Sequence, residues 1–237
     1  MAAFPLSQPR VLSNRAPGKG GIEPSLAMLE PRKRPRQRRA QATFDAIIVA
    51  CAQLLGQSGY ETLTTNAIAE RAGVSVGTLY EYFPNRESIV AALATSGCKQ
   101  LVAEMRQAAL LAADLSQLEG LEHMLRTGVR VLSAPENAFP ELVRQAPFVF
   151  RLPQFQAARA ALDRLSLEIG ETSGDRIKLV DPQVDAWLIS QMLFGAMLEI
   201  ACLEPGSADR EARVRALARL TFRMGMGRDP TDEPRPA

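Results

Sequence analysis

Apolar side chains return every three or four positions along most of this chain, the spacing of helices that each bury one face. From Gln41 the repeat runs through Phe44, Ile47, Ile48, Cys51, Leu54 and Leu55, and Gly56 and Gly59 close it. Further stripes follow at Ile89, Leu93, Leu101 and Met105, at Leu121, Met124, Leu125, Val131 and Leu132, and at Phe155, Ala158, Leu162, Leu165 and Ile169. Pro135, Pro140, Pro147, Pro153 and Pro182 punctuate them, because a proline inside a helix removes a hydrogen bond and clashes with the preceding turn. No sustained alternation of apolar and polar residues bounded by hairpin turns interrupts the pattern, and no fixed-period repeat does. The pattern predicts an all-α chain.

Between the first and second stripes lies a stretch with a different grammar, Thr64 to Phe83. Thr64 is suited to cap a short helix whose apolar side is Ile68, Ala69 and Ala72, and Gly73 supplies the left-handed residue that ends it. Val74 then fills the turn, Ser75 caps a second short helix, and Leu79 and Phe83 point inward. Two short helices held at a steep angle by small or branched residues form a helix-turn-helix. The outward face of the second helix offers Val76, Gly77, Thr78, Glu81 and Tyr82, with Tyr80 at its edge. Small residues at 76 and 77 let the helix tip approach a DNA major groove, where hydroxyls and aromatic edges meet bases.

The run TTNAIAERAGVSVGTLYEYFPNRESI resembles the signature of the TetR family of transcriptional regulators. The resemblance covers the first helix into the start of the fourth; the rest is similar only in being helical and of fitting length. It implies a three-helix DNA-binding domain followed by a larger helical effector and dimerisation domain, about nine helices in all. By position it implies that Thr65 and Asn66 lie near phosphate, that Thr78, Tyr80, Glu81 and Tyr82 belong to the recognition surface, and that Arg86 holds a phosphate where the family usually has lysine. The expected division is a disordered basic tail over 1–37, a DNA-binding domain over 38–98, a ligand-binding and dimerisation domain over 99–228, and a disordered tail over 229–237.

Charge sharpens this picture. The chain of 237 residues carries a formal net charge of only +2, yet its first forty residues hold nine basic side chains against Glu23 and Glu30. Pro31 to Arg39 is a cationic arm beside the helix-turn-helix, either a solvated charge run or a segment that tracks phosphates or enters the minor groove. Met28, just before it, offers an alternative start. The first ten residues lack the apolar run of a signal peptide, and three cysteines without metal-ligand spacing suit a reducing cytoplasm.

In the C-terminal half, Ala186 to Leu203 contains only Ser190, Gln191 and Glu199 as polar residues. A helix that is apolar all round is buried on several sides. Gln191 and Glu199 argue against a membrane span, so one side faces its own domain and another a second subunit, giving a homodimer through residues 181–226. Val214, Leu217, Ala218, Thr221 and Met224 give the last helix its stripe. A two-fold dimer implies a palindromic operator on double-stranded DNA.

The family resemblance also implies a cavity for a small apolar or amphipathic effector, with Arg144, Phe148, Phe155, Trp187, Gln191 and Phe194 as candidate lining. The expected function is a sequence-specific repressor released from its operator by that effector. The alternative on the same fold is a ligand-independent DNA-organising or partner-binding protein, which a metabolite would leave unmoved. With one histidine, no glycine-rich phosphate loop and no recognisable nucleophile or metal cluster, neither an enzyme nor a cofactor is expected.

Overall fold

The computed structural model describes residues 25–33, 35, 37–172 and 180–226. Among them are α1 (Arg38–Ser58), α2 (Thr65–Ala72), α3 (Val76–Tyr82), α4 (Arg86–Ala112), α5 (Gln117–Leu132), α6 (Phe139–Gln145), α7 (Pro153–Thr172), α8 (Pro182–Ala201) and α9 (Ala208–Met226), and no strand. Single 3-10 turns occupy Leu26–Leu29 and Pro147–Arg151.

Local chemistry sets most of the helix starts. Asn85 Oδ1 accepts from the Ser88 amide at 2.8 Å, and the Ser88 hydroxyl reaches back to the Asn85 amide, so the two residues satisfy each other at the head of α4. Ser116 and Glu119 do the same for α5. Asp181 caps α8, where Pro182 takes a first-turn position that needs no amide hydrogen.

α1 to α3 pack around the first turns of α4, with Ile47, Leu55, Ile68, Leu79, Phe83, Ile89 and Leu93 fully buried. The same helix runs on without a break through Cys98, the expected domain limit, and buries Leu101, Met105 and Ala108 among the later helices. The α1–α3 unit and the C-terminal bundle therefore share a helix. α5 lies closely along α4 and α8, and the glycine at 128 allows it: a methyl there would collide with Met197 Sδ.

One expectation is corrected at the N-terminus. Residues 25–33 fall in the stretch read as a disordered tail, yet they pack on α3 and the start of α4. Leu29 is buried, Asn85 Nδ2 donates to the Met28 carbonyl at 3.1 Å, and the Arg32 amide donates to the Tyr82 carbonyl at 2.8 Å. A single leucine with no periodic partner leaves no helical signature, which is why the spacing of apolar residues misses it. The rest of the basic tail up to residue 24 and the C-terminal stretch 229–237 lie outside the described residues.

Candidate nucleic-acid interface and an apolar cavity

The turn between α2 and α3 forms as its residues dictate. The Thr64 hydroxyl accepts from the Ala67 amide at 3.2 Å, and the Ser75 hydroxyl from the Thr78 amide at 3.0 Å. Gly73 sits at φ 68°, a left-handed conformation that costs glycine nothing, and the Val74 amide returns to the Ala69 carbonyl. Leu79 and Phe83 are wholly buried, so the opposite side of α3 faces solvent. Val76, Gly77, Tyr80 and Glu81 are exposed there, with Thr78 half-buried beside them. Thr64 and Asn66 are exposed at the start of α2, and the Thr65 and Tyr80 hydroxyls share a hydrogen bond at 3.1 Å. That bond ties the tip of one helix to the face of the other.

Two residues depart from their expected places. Tyr82 does not lie on the outward face: it is 6% exposed, its ring edge-on to Phe44 at 6.0 Å. It follows Leu79 by three residues and precedes Phe83, so helical geometry turns it inward. Arg86 does not reach outward for phosphate either. Its guanidinium donates to the Tyr60 and Leu63 carbonyls at 3.3 and 3.0 Å, pairs with Glu87 at 3.1 Å, and lies over the Tyr60 ring at 4.5 Å. It clamps the α1–α2 loop to the start of α4. Burial of the Tyr60 ring, and then the adjacent Glu87 charge, push the Tyr60 phenol up to about 12.

The cationic arm is anchored beside this face. Arg32 Nη1 donates to the Tyr80 carbonyl at 3.2 Å, and the exposed Lys33, Arg38 and Arg39 follow it.

A cavity of about 410 Å³ lies between α4, α5, α7, α8 and α9. From α8 it takes Ala186, Ile189, Ser190, Leu193, Phe194 and Met197, one helical face. Of the six expected lining residues only Phe194 is among them. Trp187 lies on the outer side of α8, 42% exposed. Gln191 turns aside to donate to Asp163 at 3.2 Å. Phe148 packs towards Tyr60, and Phe155 is buried edge-on to Phe150 and Phe194. Arg144 lies outside the cavity on α6, its guanidinium 2.9 Å from Cys202 Sγ. Of the four aromatic residues expected to mark the pocket, Phe148 and Phe155 belong to the core, Trp187 lies at the surface and Phe194 lines the cavity.

α8 is the one described helix long and apolar enough to cross a membrane. Ala186, Met197 and Ile200 are nevertheless buried in the bundle, and Ser190 and Gln191 bond to Asp163 of α7. Its remaining side leaves Val184, Trp187, Leu188 and Met192 exposed, and α9 adds Leu220 and Met224. No group of three or more His, Cys, Asp or Glu suited to a metal occurs among the described residues.

The sequence model of the bacterial regulatory proteins of the tetR family matches residues 47–93. The HTH-type transcriptional repressor KstR of Rhodococcus jostii is 49% identical over 49 residues, which are 20% of this chain and 23% of that protein. The match thus spans about a quarter of this relative's length. Over longer stretches the likeness is one of fold. The fatty acid degradation regulator FadR of Bacillus halodurans superposes with a TM-score of 0.60 at 20% identity, covering 80% of this chain and 97% of that one. AibR, solved in complex with isovaleryl coenzyme A and operator DNA, gives 0.57 at 18% identity, covering 76% and 98%. The matched segment is the one that builds the α2–turn–α3 geometry: residues 47–93 are similar to the DNA-binding segment of the TetR family of bacterial regulatory proteins, and the likeness in all-helical fold to the solved structures extends beyond it.

Proposed function

We propose that this protein is a dimeric repressor of transcription that reads operator DNA with α3 and releases it when a small molecule enters the cavity. The observation that carries this reading is the face of α3. A seven-residue helix presents Val76 and Gly77, too small to hold it off, and beside them Thr78, Tyr80 and Glu81, which can hydrogen-bond to base edges. Thr64, Thr65, Asn66 and Ser75 flank that face and supply hydroxyl and amide groups for backbone phosphates. The arm from Arg32 to Arg39 adds a charge term that is independent of sequence. Residues 38–98 then form the reading head and 99–228 the effector and dimer unit, acting in the cytoplasm where bacterial DNA lies.

Dimerisation through 181–226 is supported by the apolar face that α8 and α9 leave uncovered, since two such faces make a four-helix contact. Coupling is supported by α4, whose first turn is capped in the reading head and whose later turns, at Met105 and Ala109, wall the cavity. AibR, a fold neighbour, was solved in complex with isovaleryl coenzyme A and operator DNA, which favours a ligand-responsive role over a ligand-independent DNA-coating one.

Selection of bound sequences from random duplex DNA tests the proposal. A palindrome with half-sites about one helical turn apart, or a multiple of it, is expected. The double substitution Thr78→Ala and Tyr80→Ala should reduce binding of that site to the level of scrambled duplex; undiminished preference would overturn the reading.

A further inference from the structure

Of the described residues that wall the cavity, none is Asp, Glu, His, Lys or Arg. The polar groups available there are the hydroxyls of Ser166, Ser190 and Thr221 and the amide of Gln117. Two of those hydroxyls already donate within the protein, Ser190 to Asp163 and Thr221 to the Leu217 carbonyl. Gln117 Oε1 is different. It is sealed from solvent, and no group among the described residues donates to it. A buried acceptor left unpaired costs about 1–3 kcal/mol, and folded proteins keep few of them.

Nothing in the fold asks for glutamine at this position. The start of α5 is already capped by Ser116 and Glu119, and a leucine of similar size would continue the surrounding wall of Leu115, Leu121 and Met124. A residue that weakens the empty protein and serves no local structure is one held for something that enters.

We propose that Gln117 determines which effector this protein accepts, and that the effector is an uncharged, hydrocarbon-rich molecule whose single hydroxyl donates to Gln117 Oε1. This rests on the reading of the cavity as the effector site. A carboxylate would lose its hydration against leucine and methionine with no cation to meet it. A coenzyme A thioester whose nucleotide remained outside would bring a carbonyl to Gln117, with no hydrogen to donate. The volume, about 410 Å³, falls in the range of sites for ligands of drug-like size.

The test uses the full chain without DNA and four probes of one chain length: 1-dodecanol, its methyl ether, dodecanoate and dodecanoyl coenzyme A. Binding is read by calorimetry and by the rise in Tm. Dodecanol should bind about tenfold more tightly than its ether, as one hydrogen bond allows, and more tightly still than either charged probe. Gln117→Leu should erase the difference between alcohol and ether and at the same time raise the Tm of the empty protein, a pairing that a purely structural glutamine would not produce. Equal or tighter binding of dodecanoate or the thioester overturns the proposal, as does an alcohol preference that survives Gln117→Leu. So does failure of every probe when the series is extended from about eight to about sixteen carbons. DNA release, measured separately, keeps the two readings apart. A protein that binds the alcohol yet holds its operator retains this assignment and loses the regulatory one, whereas release by a charged ligand does the reverse.

Discussion

At the scale of the residue, Arg86 shows how a cation in a DNA-reading domain can be engaged internally. Its guanidinium meets two backbone carbonyls, Glu87 and the face of Tyr60, and its planar fork suits that set better than an ammonium would. Charge-assisted bonds to carbonyls of this kind are worth more than neutral ones, and removing the donor leaves half-buried acceptors behind. Arg86→Gln should therefore cost about 2 kcal/mol of stability in urea denaturation. It should leave the salt dependence of DNA binding unchanged, because a lost phosphate contact would lower that slope by about one. A lowered slope with intact stability would show that the side chain swings out to the backbone of DNA after all.

At the scale of the element, legibility follows how local the determining chemistry is. The α2–turn–α3 unit is written in its own caps: Thr64, Gly73 and Ser75 each act within four residues, and all three do in the structure what their types imply. Tyr82 was legible too, since its spacing from Leu79 and Phe83 puts it on the inner face; placing it on the outward face weighed its hydroxyl above that spacing. The cavity was not legible, because it is the space that many side chains leave, and no residue type announces a gap. The docked segment at 25–33 was equally hidden, resting on one buried leucine and two backbone contacts. Those contacts make a prediction. Leu29→Ala should lower stability by about 2 kcal/mol, the lower end for a buried leucine because the segment lies near the chain end and can partly relax. Truncation to residue 37 should lower Tm as well as flatten the salt slope. A disordered arm would do only the second, so an unchanged Tm in both variants would return the segment to the tail.

At the scale of the whole molecule, the feature left over is the uncovered side of α8. Val184, Leu188 and Met192 recur every four residues, with Trp187 beside them, and Leu220 and Met224 continue the strip on α9. A contiguous apolar strip of this kind on one face marks a contact surface. The same helix buries its other side around the cavity, so a subunit contact through α8 would join the two reading heads to the effector site by a single rigid element. Because Leu188 is 44% exposed in the single chain, Leu188→Glu should barely disturb its folding, while two such charges facing each other across a two-fold axis would oppose association. In sedimentation the parent should run at about twice its 25.8 kDa chain mass and the variant at that mass. Affinity for a palindromic site should then fall by roughly a hundredfold or more, since the second head is no longer held near its half-site, whereas the weak affinity for a lone half-site should persist. A variant that remained dimeric would place the subunit contact elsewhere. One that became monomeric yet bound the palindrome as before would remove the dimer from the mechanism.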